Sequence, residues 1–167
     1  IDEFDRIWKV WEPIVREHVK NSGTICPEWP ESTSYWKLPK VRRFCKDLGL
    51  MKAEIHGCRM GFKSDEGRPI NKPLLFATND SHIYASLDVY RCSGCKSHFP
   101  CSGKYTKRSE EYTDQMAWVI HKAWHEAAAR ISRQMSQPKP GNKDAAATSS
   151  MQFLPTALAP AVVTVKP

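Results

Sequence analysis

Cys92, Cys95, His98 and Cys101 lie within ten residues, separated by three two-residue gaps. Thiolates and imidazoles suit Zn²⁺, and Cys-x-x-Cys is half of a tetrahedral site. Neighbouring Arg91 and Lys96 would help keep the thiols ionised. Three short gaps leave little slack to close a tetrahedron, and Cys58, from another turn, is a replacement for one ligand. Metal binding, reduced loop thiols and a disulfide are all open readings of this segment. A metal here would be structural zinc, since the pattern suggests no open coordination position. A second group centres on Glu28. Thr24-Ile25-Cys26 reads as a short buried strand leading into Pro27-Glu28-Trp29-Pro30. A carboxylate at the carboxyl edge of an open α/β sheet stands where ligands bind. Between Pro27 and Trp29 it would be partly desolvated, which raises its pKa and suits a proton donor. The plainer alternative is a Glu accepting loop hydrogen bonds. His121 and His125 share a helix face but lack the His-Glu-x-x-His pattern, and read as surface or interfacial histidines.

These groups need a scaffold, and 167 residues suffice for one domain. The chain is 41% hydrophobic and 26% charged, which excludes a wholly disordered or collagen-like polymer. No uncharged run approaches the roughly 18 apolar residues of a membrane span. Ile1 is followed by Asp2, Glu3 and Asp5, unlike the basic start of a signal peptide, so a fragment of a longer intracellular protein, cytoplasmic or nuclear, is expected. Net charge is +7, unevenly placed. Residues 37–72 carry ten bases against four acids, and residues 91–108 carry five bases and no acid. Such blocks favour a polyanionic partner, because neutralised phosphates release counterions. Arg42, Arg43, Lys96, Lys104, Lys107 and Arg108 are the candidate nucleic-acid contacts. A solvated basic surface is the alternative.

Phe4, Ile7, Trp8, Trp11, Val15 and Val19 mark a helix over 2–20, with a kink expected at Pro13. Trp8 and Trp11 read as core, whereas Trp29 and Trp36 read as clamps on the Glu28 loop. Val41, Phe44, Cys45 and Leu48 predict a helix over 39–48, closed by Gly49. Strands are predicted around 53–56 and 74–78, and a short helix, capped at 79–81, over 82–87. Residues 91–108 read as loop, and 113–135 as a long helix with Met116, Ile120, Trp124, Ala127 and Ile131 on its stripe. From 136 the chain turns to Pro, Ser, Ala and Thr with few charges, the composition of a disordered tail. The division is thus 1–135 and 136–167. Strands alternating with helices predict an α/β fold. With about three strands it is a partial three-layer sheet, half of a Rossmann-like unit, carrying a long C-terminal helix.

The order of several short motifs resembles the carboxyl-terminal half of a diverged cytosine-5 DNA methyltransferase-like domain, of the kind found in phages and retroelement polyproteins. Glu28-Trp29-Pro30 stands where that family has Glu-Asn-Val or Glu-Asn-Pro. Ser32 to Trp36 and a helix follow, then Cys58-Arg59-Met60-Gly61, Lys72-Pro73, Thr78-Asn79 and the segment from Cys92 to Thr106. The resemblance covers roughly residues 1–125. It implies Glu28 as the catalytic acid toward a cytosine ring nitrogen, with Trp29, Arg68 and Lys72 near the substrate. It also implies a DNA partner and base flipping. S-adenosylmethionine would belong to the intact parent domain. The family's glycine loop and Pro-Cys nucleophile precede its Glu strand, and nothing upstream of Glu28 matches them. The chain is therefore expected to lack methylation activity by itself and to need a missing N-terminal half-domain. The alternative is a zinc-stapled nucleic-acid-binding module without enzymatic activity.

Overall fold

The computed structural model describes residues 2–136. The amphipathic stripe of the first segment forms α1 (Asp2–Lys20), followed by β1 (Glu28–Pro30), a 3₁₀ turn (Ser34–Lys37) and α2 (Pro39–Asp47). Then come β2 (Met51–His56), a second 3₁₀ turn (Gly57–Arg59), β3 (Pro73–Thr78), α3 (Ser81–Asp88), α4 (Lys104–Arg108) and α5 (Asp114–Ser136). No helix among the described residues is long and apolar enough to cross a membrane. The tail expected from 136 onward lies, apart from Ser136, outside the described residues.

The sheet order is β1-β3-β2, and both pairings are antiparallel. β1 and β2 therefore run parallel to one another with β3 between them, and β1–α2–β2 is a split β-α-β unit. Neighbouring strands in a doubly wound sheet pair in parallel, and the described strands contain no such pair.

Alternation along the strands fills two cores. Ala53, Ile55, Leu74 and Phe76 face Ile83 and Leu87 of α3 and Met116 and Ala123 of α5. Trp29, Leu75 and Ala77 face Phe4 and Trp8 of α1 and Val41 and Phe44 of α2. The result is an α/β/α arrangement of three layers, mixed in class and ending in a long C-terminal helix. α1 is one helix with Pro13 inside it, not two abutting ones. Pro13 is on the exposed side, where a carbonyl deprived of its helical donor can turn to water.

Two local expectations change. The Thr24–Cys26 run is not part of a strand; its Ile25 N–H donates to the Asn79 side chain at 2.9 Å. The strand begins at Glu28 instead. The 91–108 loop also contains α4.

The two edges of the sheet differ. Two outward N–H groups of β2 are taken: Glu54 donates to Asp88 Oδ1 at 2.9 Å, and His56 to the Tyr90 carbonyl at 3.0 Å. On β1, the residues facing β3 are Pro27, Trp29 and Glu31. That leaves Glu28 facing outward between Pro27 and Pro30. The Pro30 carbonyl is itself occupied by Thr33 N and Trp36 Nε1.

β3 passes into α3 through Asp80, which is 7% exposed. Its carboxylate accepts from His82 N at 2.8 Å and Ile83 N at 3.0 Å. Arg130 of α5 donates to the other oxygen at 2.9 Å. One carboxylate thus caps α3 and fastens α5 to it. Asp80→Ala should destabilise the fold by at least about 2 kcal/mol, combining a lost cap with a lost partner for Arg130. Asp80→Asn, which keeps an accepting oxygen, should lose less. Urea unfolding midpoints of the three proteins check the ranking.

Candidate metal centre and the Glu28 network

β2 ends at His56, and the chain turns at once through Gly57. A Cβ at Gly57 would lie 2.5 Å from the Phe62 ring and 3.2 Å from the Ile70 carbonyl, so only glycine fits. That turn presents Cys58. The His56–Tyr90 hydrogen bond brings the exit of α3 alongside, so Cys92, two residues past Tyr90, meets Cys58, two residues past His56. Cys95 and His98 complete the group. One ligand atom from each of Cys58, Cys92, Cys95 and His98 lies within 4.8 Å of the other three. These four residues could hold a metal ion. Cys92 Sγ is 3.6 Å from Cys95 Sγ and 3.5 Å from His98 Nε2. The Cys95 N–H points at Cys92 Sγ from 3.4 Å. All six cysteines of the described residues are free thiols.

The electrostatics of the group fit a cation. Backbone N–H groups of Cys95 and Gly94 draw the Cys92 pKa down to about 6. Burial, and then Cys92 itself, pushes Cys58 up to about 12. Cys92 is thus the readier thiolate of the two, and a divalent ion would supply the field that Cys58 needs to become one.

Cys101, expected among the ligands, is not one of the four. Its Sγ lies 3.4 Å from Ser109 Oγ and 3.9 Å from the Tyr105 carbonyl. Two-residue gaps throughout would have wrapped all four ligands on one short loop, whereas the fourth candidate ligand, Cys58, comes from outside it.

Glu28 sits on the α5 face of β1, opposite Phe76 in register. Tyr112, just before α5, donates its hydroxyl to Glu28 Oε2 at 2.8 Å. Burial pushes the Glu28 carboxyl above its ordinary value of 4.5, against the opposing pull of the Tyr112 hydroxyl and then the Lys72 charge. Lys72 Nζ donates to the Ser109 carbonyl at 2.8 Å and to Ser109 Oγ at 3.1 Å. Glu28, Lys72, Tyr112 and Ser109 therefore form one polar network. Beside it opens a cavity of about 380 Å³ lined by Phe62, Ser64, Tyr105, Ser109 and Tyr112, with Arg108 also on its wall. Glu28 is not a loop residue accepting backbone bonds; its recorded partner is a side chain from 84 residues away.

The remaining expected contacts separate. Trp29 points to the other face and is 5% exposed, with its ring edge-on to Trp36 and Phe4. Buried there, it cannot touch a substrate at Glu28. Arg68 lies over the Phe99 ring at 5.3 Å. Arg42 and Arg43 are on α2, across the sheet from the segment that carries Lys96, Lys104, Lys107 and Arg108. Lys104 Nζ (2.5 Å) and Arg108 Nη1 (3.0 Å) both bind Asp65, a neutralising partner that charge counting by segment had assigned elsewhere. Those bonds, with Phe99 N donating to the Pro69 carbonyl at 2.8 Å, join loop 63–70 to the 96–108 segment in one flank. Tyr112 and Ser109 went unnoticed in the sequence, since no spacing links them to Glu28 or Lys72.

No protein-family model matches the chain, and no curated protein or solved structure matches it at a significant level.

Because the Tyr112 hydroxyl lowers the Glu28 pKa, Tyr112→Phe should raise it further, read by NMR titration of the Glu28 carboxyl carbon. The sign for stability follows. An acid whose folded pKa is raised contributes stability below its ordinary value of 4.5 and loses it as pH climbs through the folded value. Glu28→Gln should therefore gain stability over the parent as pH rises from about 4.5 to neutrality, and show no gain below. Thermal melts across that range measure it.

Proposed function

We propose that the chain is a nucleic-acid-binding α/β module whose binding flank is held by structural zinc at Cys58, Cys92, Cys95 and His98. The observation that carries this reading is the size of the cluster. With Zn–S near 2.3 Å and Zn–N near 2.0 Å, a regular tetrahedron has S···S edges of about 3.8 Å and S···N edges of about 3.5 Å. The recorded 3.6 Å and 3.5 Å are close to both. Four protein ligands would close the shell, so the ion ties structure and leaves no position for substrate. What it ties is the 92–98 loop, whose residues are mostly exposed and polar, to the end of β2. Phe99 follows at once and packs edge-on against Tyr105. The metal thereby fixes the path of the basic segment. Lys63, Arg68, Lys96 and Lys107 on this flank have no carboxylate partner among the described residues, which leaves them for phosphates.

A second reading is favoured by Glu28 itself. A largely buried carboxyl, raised in pKa beside a lysine, is what a proton donor to a heterocyclic base requires. On this reading the chain is part of a methyltransferase-like domain, and S-adenosylmethionine and the nucleophile belong to the rest of the parent protein. Lys72 retains its place near the substrate. The support comes from Glu28 and from β1 lying at the sheet margin, since antiparallel pairing adds none.

Metal analysis of the reduced chain should return about one zinc per molecule. Cys58→Ser should weaken zinc binding by more than the roughly 10–100-fold that loss of an outer-shell partner causes. Cys101→Ser should leave the stoichiometry unchanged. Metal-free protein that folds identically would overturn the zinc reading. If four cations each neutralise one phosphate, raising salt from about 50 to about 200 mM should weaken binding to a DNA oligonucleotide roughly 150-fold. Fluorescence anisotropy measures the slope, and salt-independent or absent binding removes the nucleic-acid assignment.

A further inference from the structure

We propose that the metal centre is a thiol switch: a peroxide oxidises Cys95 and Cys92 to a disulfide, the ion is released, and loop 92–98, with the Lys96 that the basic flank presents, comes loose. The inference rests on the zinc reading above and goes beyond it to the regulation of that site. Its basis is the uneven placement of the three thiols. Cys95 is exposed, whereas Cys58 and Cys92 are partly covered. Cys92 and Cys95 are three residues apart on one loop, with sulfurs 3.6 Å apart. A disulfide needs about 2.05 Å, so a shift of about 1.5 Å within a loop containing Gly94 joins them. Cys58 belongs to a separate turn, where Gly57 before it has no room for a side chain against Phe62 and the Ile70 carbonyl, and so lacks the freedom of the 92–95 loop.

The step balances. The Cys95 thiolate attacks one peroxide oxygen and the O–O bond breaks. This leaves a sulfenic acid and a hydroxide, which takes up a proton as water. The Cys92 thiolate then attacks the Cys95 sulfur, forming the S–S bond and expelling the second hydroxide, again as water. Two electrons pass from two thiolates to the peroxide, which is thereby reduced to two waters. Cys58 and His98 remain as donors, and two ligands do not hold zinc as four do. Loop 92–98 is then no longer fastened to β2, and Lys96 loses its fixed position, while Phe99 stays bound to the Pro69 carbonyl beside Arg68.

The test uses the full chain, reduced and loaded with zinc, exposed to hydrogen peroxide. Zinc release is read with a chromogenic chelator, thiols by titration, and the linkage by peptide mapping. About one zinc should leave as two of the six thiols disappear, with Cys92 linked to Cys95. DNA-oligonucleotide affinity should fall at least about tenfold, and dithiothreitol with added zinc should restore it. Cys45→Ser, on α2 across the sheet, should behave as the parent does, which separates the site from general thiol loss. Zinc retained while thiols are lost, a disulfide mapped elsewhere, or release accompanied only by sulfinic acid overturns the switch and leaves the zinc reading standing. A reduced chain that binds no zinc overturns both.

Discussion

β3 has hydrogen-bonded neighbours on both edges and an apolar layer on each face, and the other elements take their places from that double burial. Leu74 and Phe76 point to one side, Leu75 and Ala77 to the other. A strand so enclosed needs helices on both faces, which the chain supplies as α1 and α2 on one and α3 and α5 on the other. The register then sets the chemistry. Glu28 opposite Phe76 and Trp29 opposite Leu75 send the carboxyl toward Tyr112 and the indole into the aromatic cluster around Phe4. A slip of one residue would exchange them, burying an unpartnered carboxylate among Trp36, Phe4 and Tyr35.

The same logic places the thiols. Asp88 and Tyr90 cover the outer edge of β2 because its N–H groups need acceptors. That cover carries Cys92 to Cys58. The four candidate metal ligands are therefore a by-product of how the fold finishes an exposed strand, and they fall where the turn after β2 meets the exposed 92–98 loop. A cation there would add a link between the two turns.

Much of the scaffold was legible because it follows periodicity. The stripes of α1, α2 and α5 and the alternation in β2 are visible in the residues, and their bounds fall within two residues of the observed ones. β1 was not, and for a physical reason: an apolar run does not make a strand unless it has a partner. Thr24–Cys26 is apolar but spends Ile25 N–H on Asn79, while Glu28–Pro30, with a charge and a proline, has β3 to pair with. Strand direction was hidden too, since connections of this length permit either sense. At the candidate site the half-pattern Cys-x-x-Cys and His98 could be read, and Cys58 could be weighed as a substitute. Choosing it over Cys101 required the pairing of His56 with Tyr90 across 34 residues. Tyr112 and Ser109 depend on where α4 and α5 dock, information that no local spacing contains.

The outward-facing proline of β1 has a consequence of its own. A sheet margin normally offers a ladder onto which a stray chain can crystallise, and fibril growth begins on such ladders. Here Pro30, on the outward side of β1, has no N–H to offer and its carbonyl is already engaged, which leaves Glu28 as the one outward residue of β1 with both a backbone donor and an acceptor. A rung of one cannot be extended. The margin of this small sheet is thus self-terminating, guarded against amyloid-like stacking by its own proline.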